Sequence, residues 1–533
     1  MSIFPPNTRR QFLKHSSLFS ALSIPTGMLL AANTGQLSLA SSKPASQAYP
    51  FSLGVASGSP LPDGVVLWTR ILPEPLNPAS SGKLALRVDW EVAQDQAFSK
   101  IVAKGKADAL PALAHSVHVE VTGLQPDRWY WYRFMHGNAV SPVGRTRTAP
   151  APESLPQRLK MVVASCQHWE FGSYCAHQHI ANAAPDLIAF LGDYIYEWGP
   201  YSLSHPNKAA RTDESFNLAD YRARYAQYKT DPQLQAAHLV APWIVTWDDH
   251  EVANDYANLL DERLDPNFAA RRASAYQAFY EHMPLRQSSI IGQQFLHMRM
   301  FQRFDWGRLA RLHVLDNRQY RANPACPKLG TSVTASCRER FESKRSILGL
   351  AQEQWLEQGF AHSPAQWNLL LQQTLMAQNS QIPATSANEG RFWTDGWDGY
   401  PAARLRLLQA MQKHKLNNPI VLSGDVHTFY ASNLVADFFQ AVSAKNPIIA
   451  SEFCGTSITS PSRPQARTER YVQDNPHTKF GRSDRRGFML LDISKQQTLS
   501  HFQVVDDVMR ADSGMQNLRS FAVQAGVAGV VKA

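Results

Sequence analysis

Residues 158–193 of this 533-residue chain read RLKMVVASCQHWEFGSYCAHQHIANAAPDLIAFLGD, and this stretch decides the fold. Its first part, 158–166, is apolar enough for a buried strand, and 185–193 is a second run of the same kind. Between them, 174–183 carries apolar residues at helical spacing. A strand, a helix and a strand in this order predict α/β architecture from residue 158 onward.

Three more buried runs follow the same pattern: PWIVTWDDH (242–250), ARLHVLDNR (310–318) and NPIVLSGDVH (418–427). Helices are expected at 351–360 and 404–414. Each of the five strand runs ends on side chains that could bind a ligand, namely Cys166, Asp193 with Tyr196, Asp248 to Glu251, Asp316 to Arg318, and Asp425 with His427. Because the strand ends of an open α/β sheet share one edge, where ligands bind, we expect these groups to meet there.

Such a cluster of carboxylates predicts a site for several metal ions. Buried acids repel one another unless cations neutralise them. Asp193 could bridge two cations through its two oxygens, and a Tyr196 phenolate is a hard anionic donor that suits Fe(III). Taken singly, each acid would be interpreted as a helix cap or turn residue, Cys166 as a small buried apolar residue and Tyr196 as a packed phenol. Their repetition after successive strands favours the metal site.

Five motifs resemble those of the PhoD-like alkaline phosphatases, a branch of the metallophosphoesterases: ASCQ (164–167), FLGDYIYE (190–197), WDDHEVANDY (247–256), LDNRQYR (315–321) and LSGDVH (422–427). The motifs occur in the family's order, and the resemblance spans nearly the whole mature chain. It implies an α/β fold with a calcineurin-like β-sandwich core and flanking helices. A small all-β domain of immunoglobulin or fibronectin type is expected to precede this core.

The resemblance also implies a centre that holds Fe3+ and Ca2+. Cys166 as thiolate, Asp193 and Tyr196 would bind the iron, and Asp193 would bridge to a second cation, expected to be calcium. Asp249 carries a charge that suits calcium, where the wider fold has an asparagine. The last strand would close the site with Asp425 and His427, with no assignment to one metal or another. Most metallophosphoesterases have an Asp-x-His pair on the first strand, where this chain has Cys166.

Two residues are expected to act directly on the substrate. His250 matches the histidine that the wider fold places near the leaving-group oxygen. Arg318 is our candidate for binding the phosphate oxygens, because a guanidinium fits them bidentately, with Arg321 as a weaker alternative. The implied activity is that of an exported metal-dependent alkaline phosphatase or phosphodiesterase, in which a metal-bound hydroxide attacks the phosphate ester in line.

Three alternatives remain at this point. The chain could be a phospholipase D-like or wall-polymer phosphodiesterase with the same metal core. It could be an exported calcium-binding protein without activity, although such a site does not require Cys166, Tyr196 or His250. A relationship to the purple acid phosphatases is disfavoured because their early Asp-x-His-type motif is missing.

The N-terminus predicts export. Residues 1–40 begin polar, contain Arg9-Arg10, become moderately apolar and end on Ser38-Leu39-Ala40, as in a twin-arginine signal peptide. The competing interpretation is a disordered tail with a chance arginine pair. We expect the twin-arginine export machinery as a partner and a periplasmic or secreted location. No later stretch has 18 consecutive apolar residues, so no permanent membrane span is predicted.

The remaining features concern organisation. Residues 49–150 show about seven short alternating runs, which predict a β-sandwich domain; a proline-rich linker then leads to a catalytic domain over 158–533. The 53 Lys and Arg and the 44 Asp and Glu give a formal net charge of +9. No basic run with interleaved aromatic residues indicates a nucleic-acid site. We expect a monomer. In an exported chain, Cys326 and Cys337 are expected to form a loop disulfide.

Overall fold

A computed structural model describes residues 49–199, 213–326, 332–334, 337–384 and 390–533. The signal peptide expected over residues 1–40 lies outside the described residues. The α-helices are α1 Cys175–Ala183, α2 Leu218–Lys229, α3 Pro232–Val240, α4 Phe268–His282, α5 Leu350–Ala361, α6 Pro401–Lys413 and α7 Gln465–Asp474.

The strands fall into an N-terminal group and a larger group. The first comprises β1 Val55–Leu61, β2 Gly64–Arg70, β3 Leu86–Ala93, β4 Ile101–Ala109, β5 Ser116–Val121, β6 Trp129–His136, β7 Ala139–Val140 and β8 Gly144–Arg147. The second comprises β9 Arg158–Ala164, β10 Leu187–Phe190, β11 Trp243–Val245, β12 Ile290–Ile291, β13 His297–Met298, β14 Gln302–Trp306, β15 Ala310–Val314, β16 Ser332–Thr334, β17 Trp367–Leu371, β18 Arg391–Trp393, β19 Pro419–Ser423, β20 Phe429–Val435, β21 Ile448–Cys454, β22 Thr478–Arg482, β23 Gly487–Ser494, β24 Gln497–Val505, β25 Met515–Gln524 and β26 Val531–Lys532.

Two large sheets form the core of the molecule. The first has the order β26-β25-β24-β23-β9-β10-β11-β1-β2-β5, and the second has the order β14-β15-β17-β19-β21-β20-β22. Strands β9, β10 and β11 run parallel at the centre of the first sheet. Strands β15, β17, β19 and β21 run parallel in the second. The strand and helix elements expected from residues 158–193 are confirmed as β9, α1 and β10.

The two sheets pack face to face and are covered by helices on their outer faces. Alternate residues of β9 show this, because Met161 and Val163 lie in the core between the sheets while Val162 lies in the outer core against α1 to α4. On the second sheet, Leu370 of β17 belongs to the outer core with α5 and α6. The expected sandwich with flanking helices is therefore confirmed.

The expectation that the five ligand-bearing strands share one open sheet is wrong. β9, β10 and β11 belong to the first sheet, whereas β15 and β19 belong to the second. All five are buried on both faces, so the hydrophobic pattern of each strand does not reveal which sheet it joins. The carboxyl ends of the parallel strands of both sheets nevertheless carry the loops that form the site described below.

The N-terminal region, which contains β1 to β8, is all-β, as expected. β4, β3, β6, β7 and β8 form one sheet, and β1, β2 and β5 pack against it through a shared core that includes Val65 and Leu67 of β2 and Tyr132 of β6. The second of these layers also continues the first large sheet, since β1 pairs in parallel with β11 through Gly58 and Trp243. The N-terminal strands are thus built onto the first large sheet.

Two further expectations can be examined in the described residues. Cys326 and Cys337 form a disulfide, which confirms the expected pair, and Cys166, Cys175 and Cys454 are buried free cysteines. Within the described residues, no helix has both the length and the apolar character that crossing a bilayer requires.

Candidate metal centre

The candidate site lies in the loops that follow the parallel strands, and its backbone is unusual. Cys166, Asp193, Asp425 and His427 have φ angles of 61°, 56°, 62° and 52°. These values lie in the left-handed region, which costs free energy for residues other than glycine. Four of the six expected metal ligands are thus held in a conformation that the surrounding structure must enforce.

Gly192 allows two of these loops to approach each other. Its φ angle is 108°, and a Cβ atom there would lie 2.6 Å from the backbone nitrogen of Asp248. Any side chain at this position would therefore separate the loop of Asp193 from the loop of Asp249.

The buried carboxylate of Glu251 fixes the same two loops. It accepts hydrogen bonds from the backbone nitrogens of Asp193 at 3.0 Å, Tyr194 at 2.5 Å and Asp248 at 2.8 Å. Burial raises the pKa of Glu251 to about 8. Since all three bonds position backbone, Glu251 supports the site without facing it.

The side chains that these loops carry form three groups, each with ligand atoms within 4.8 Å of one another. The groups are Cys166, Asp193 and His427; Asp193, Asp249 and His250; and Asp248, Asp249 and Asp425. Asp193 belongs to the first and second groups, and Asp249 belongs to the second and third. With Tyr196, whose contacts follow below, the structure therefore brings all six expected metal ligands and His250 into one chain of adjoining sites.

Three carboxylate oxygens of these adjoining groups are buried and have no hydrogen-bond partner among the described residues: Asp193 Oδ1, Asp249 Oδ1 and Asp425 Oδ2. Burial raises the pKa of the Asp193 carboxyl well above its usual range. Burial and the neighbouring Asp193 carboxylate also raise the pKa of the Cys166 thiol. A thiol and carboxyls in this environment are stabilised as anions only by cations, so the donor set fits bound metal ions.

Tyr196 joins the first group through its phenol. The hydroxyl donates to Asp193 Oδ2 at 2.9 Å and lies 3.2 Å from His427 Nε2. Ser460 Oγ donates to the same phenol oxygen at 2.8 Å. The phenol oxygen is therefore placed where it could complete the ligand set of Cys166, Asp193 and His427.

His250 is oriented by Glu197. Its Nδ1 lies 2.8 Å from Glu197 Oε2, and its ring lies between Tyr196 and Trp198, with a centroid distance of 4.2 Å to each. Burial lowers the pKa of His250, but the carboxylates of Asp249, Glu197 and Asp193 outweigh burial and raise it well above its usual value. With Nδ1 engaged by Glu197, Nε2 is the nitrogen available to a ligand or a substrate.

Arg318 lies inside a network of acids. Its Nε contacts Asp248 Oδ1, its Nη1 donates to Asp395 Oδ2 at 2.7 Å, and its Nη2 lies 3.4 Å from Asp249 Oδ1. The side chain is fully buried. Only Nη2 has no hydrogen-bond partner among the described residues, and it is buried like the rest of the side chain.

Arg321, the alternative to Arg318, is engaged through both Nη nitrogens, while its Nε has no hydrogen-bond partner among the described residues. Its Nη2 donates to Asp395 Oδ1 at 2.5 Å and to the Asp255 carbonyl at 2.9 Å, while Nη1 donates to the Asp395 carbonyl at 2.8 Å. The contacts of Arg321 therefore hold Asp395 and the loop at Asp255 in place.

Three participating residues were not expected at the site, and a fourth, Asp248, was expected only as one of several polar residues after its strand. Asp248 belongs to the third metal group, Glu197 orients His250, Ser460 contacts Tyr196, and Asp395 joins the two arginines. Asp248 and Glu197 are adjacent to Asp249 and Tyr196, so their positions in the motifs were a usable signal. Asp395 and Ser460 follow no buried strand of the expected pattern, and only the fold brings them to the site.

Comparison with known proteins agrees with this geometry. Residues 161–502 match the family model of the PhoD-like phosphatases, and residues 37–150 match the model of the N-terminal domain of those phosphatases. The chain is 43% identical to the alkaline phosphatase D of Bacillus subtilis (strain 168), over 99% of this chain and 90% of that protein. It is also similar to a solved structure of PhoD, with a TM-score of 0.86 and 43% identity over 92% of this chain and 93% of that one.

Proposed function

Because this chain belongs to the PhoD-like phosphatases, and is therefore a hydrolase of phosphoric esters, we propose that the three adjoining groups are its catalytic metal centre. Members of this family are metal-dependent, and the described residues include acidic and histidine groups that can hold metal. The proposal extends to which ions are bound, which residues hold them and how the ester is cleaved.

We assign Fe3+ to the first group. The ligand atoms of this group are a thiolate, a carboxylate, a phenolate and an imidazole, from Cys166, Asp193, Tyr196 and His427. This mixed set suits a trivalent iron better than it suits an ion that prefers oxygen ligands only. Calcium is assigned to the carboxylates of the second and third groups, which share Asp249. Asp193 would bridge the iron to the next cation. Bound metal ions would lower the pKa of a water molecule so that hydroxide is available as a nucleophile near neutral pH.

The protein's own residues would then act on the ester. His250, held by Glu197, is positioned to stabilise charge or to donate a proton to the leaving group. The Nη2 of Arg318, which has no hydrogen-bond partner among the described residues, would donate to a phosphate oxygen, while the other two nitrogens keep Asp248 and Asp395 neutralised. The expected path is in-line displacement without a covalent protein intermediate.

The single observation that carries this proposal is the set of three buried carboxylate oxygens without partners among the described residues, at adjoining triads. The test is elemental analysis of the purified protein, together with hydrolysis of an aryl phosphomonoester and of the matching bis-aryl diester. We expect iron and calcium in the wild type, reduced metal content in Asp193→Asn, and wild-type content in the control Asp108→Asn, whose surface carboxylate pairs with Arg87. A fully active protein without iron would refute the iron assignment.

We further propose that residues 1–40 are a twin-arginine signal, that residues 49–150 and 158–533 are the two domains of the mature enzyme, and that it acts as a periplasmic or secreted monomer. The order of charge, apolar run and small residues at the N-terminus supports the signal. Replacing Arg9 and Arg10 by lysine should retain the full-length precursor in the cytoplasm. Export at the wild-type rate would contradict this assignment, and sedimentation of the mature protein tests the monomer.

A further inference from the structure

Ser460 lies outside the expected ligand set, yet it contacts two of the proposed iron ligands. Its Oγ lies 2.8 Å from the Tyr196 phenol oxygen and 3.1 Å from the Cys166 carbonyl oxygen. The residue lies in the loop after β21 and is 1% exposed. Water therefore does not compete readily for its hydroxyl.

The hydroxyl has one proton and two acceptors, and the state of Tyr196 decides between them. While Tyr196 is a neutral phenol, its own proton goes to Asp193 Oδ2 and the phenol oxygen is an ordinary acceptor. As a phenolate, the oxygen carries a negative charge, and a hydrogen bond to a charged acceptor is shorter and stronger than one to a carbonyl. The shorter of the two contacts is also the one to Tyr196.

The loop holds Ser460 in this position from several sides. The Ile458 nitrogen donates to the Ser165 carbonyl at 3.0 Å, and Thr459 Oγ1 donates to the His168 carbonyl at 2.7 Å. Ser457 Oγ in turn donates to the Ser460 carbonyl and accepts from Arg486 Nη1 at 2.8 Å. These bonds fix the donor before any metal binds, as a preorganised site requires.

We propose that Ser460 is a positioning residue whose hydroxyl donates a hydrogen bond to the Tyr196 phenolate and thereby limits the electron density that this oxygen gives to the ferric ion. The inference rests on the proposed function of Tyr196 as an iron ligand. Hydrogen bonds to ligand atoms tune the electronic properties of a metal centre. Without the donor, the phenolate would be more electron-rich, and its charge-transfer transition to iron would require less energy.

The test is absorption and resonance Raman spectroscopy of iron-loaded wild type, Ser460→Ala, Thr459→Val and Tyr196→Phe. We expect Ser460→Ala to shift the phenolate charge-transfer band to longer wavelength. Thr459→Val, which loses a neighbouring buried hydroxyl that donates to the His168 carbonyl instead, should leave the band in place. In D2O, the phenolate C–O mode of the wild type should shift, and this shift should be lost in Ser460→Ala.

The outcomes separate the two levels of the proposal. A wild type without a phenolate signature, or with one that persists in Tyr196→Phe, refutes the ligand role of Tyr196 itself. A wild-type phenolate band that neither moves in Ser460→Ala nor shows a serine-dependent response to D2O refutes only the role of Ser460. An equal shift in Thr459→Val would assign the effect to the loop and would also overturn the inference.

Discussion

The two sides of the metal centre differ in how their buried charges are compensated. On one side, Arg318 and Arg321 neutralise Asp248 and Asp395 through ion pairs that are complete within the protein. On the other side, Asp193 and Cys166 are buried without an arginine or lysine partner among the described residues, and Asp193 Oδ1 has no hydrogen bond there. On the first side the protein itself supplies cationic partners for the acids, whereas Asp193 and Cys166 are stable as anions only beside a positive charge from another source.

This difference separates two roles that look alike in the sequence. Asp193, Asp248 and Asp249 all follow buried strands, yet only some of their oxygens are left for an external cation. Asp249 lies between the two sides, because its Oδ2 accepts from the Asp255 nitrogen at 2.7 Å while Oδ1 has no hydrogen bond within the described residues. Whether an acid is a scaffold or a ligand is therefore decided by its partners.

The largest effect is expected for Asp193→Asn, which changes the proposed bridging residue on the uncompensated side. Loss of the shared ligand should lower kcat/KM by about 10³-fold, or about 4 kcal/mol, because metal ions supply several kcal/mol of transition-state stabilisation. Steady-state kinetics on an aryl phosphomonoester measures the loss. In chelator, the variant should unfold at a higher temperature than the wild type, because it no longer buries an uncompensated carboxylate. Near-normal rates would remove the distinction between the two sides.

Arg318→Met tests the compensated side. The change leaves Asp248 and Asp395 with fewer cationic partners in a buried environment, and we expect a loss of about 3 kcal/mol in the free energy of unfolding. Urea denaturation of the metal-free protein measures it. Arg87→Met, which breaks a surface ion pair with Asp108, is the matched control and should cost less than about 1 kcal/mol. Equal effects of the two variants would contradict the structural role of Arg318.

Glu197→Gln examines the carboxylate that orients His250. Glutamine can still accept from the imidazole but removes the negative charge beside it, so kcat should fall by about 10- to 100-fold. Elemental analysis should show unchanged metal content, because Glu197 belongs to none of the three groups. A parallel loss of metal would mean that Glu197 acts on the ligands and not on His250.

Lys229 is a buried basic residue away from the metal centre, and its charge depends on pH. It is 1% exposed, its Nζ lies 4.3 Å from the Trp68 ring centroid, and burial lowers its pKa to about 7 from 10.5. Between these two values the unfolded chain binds a proton that the folded chain does not, so the free energy of unfolding should rise with pH by up to about 1.4 kcal/mol per unit. Lys229→Met should flatten this rise in denaturation curves taken from pH 7 to 10. An unchanged slope would show that Lys229 stays charged in the fold.

Much of the site could be predicted because the chemistry repeats along the chain. The ends of the buried runs pointed to Cys166, Asp193, Asp249, Asp425 and His427 without knowledge of the fold, and the structure brings these five side chains together. What the sequence could not provide was the assignment of strands to two sheets, since strands buried on both faces carry no signal of their neighbours. The left-handed backbone of the ligands was equally hidden, because their residue types do not require it.

Contacts between residues that are far apart in the sequence could not be predicted either. Asp395 neutralises Arg318 from 77 positions away, and Ser460 reaches Tyr196 from 264 positions away. Helix α2 was missed although Tyr221, Tyr225 and Tyr228 of its buried face recur at helical spacing. Its buried residues also include the polar Arg224, Gln227 and Lys229, which weaken the apolar pattern in the sequence.

The pairing of β1 with β11 has a practical consequence for anyone who shortens this protein. A fragment that begins near residue 158 would leave β11 with unsatisfied backbone groups along a newly bared edge, and such edges recruit strands from other molecules. The fragment should therefore self-associate when expressed alone, and adding residues 49–150 as a separate polypeptide should restore its solubility.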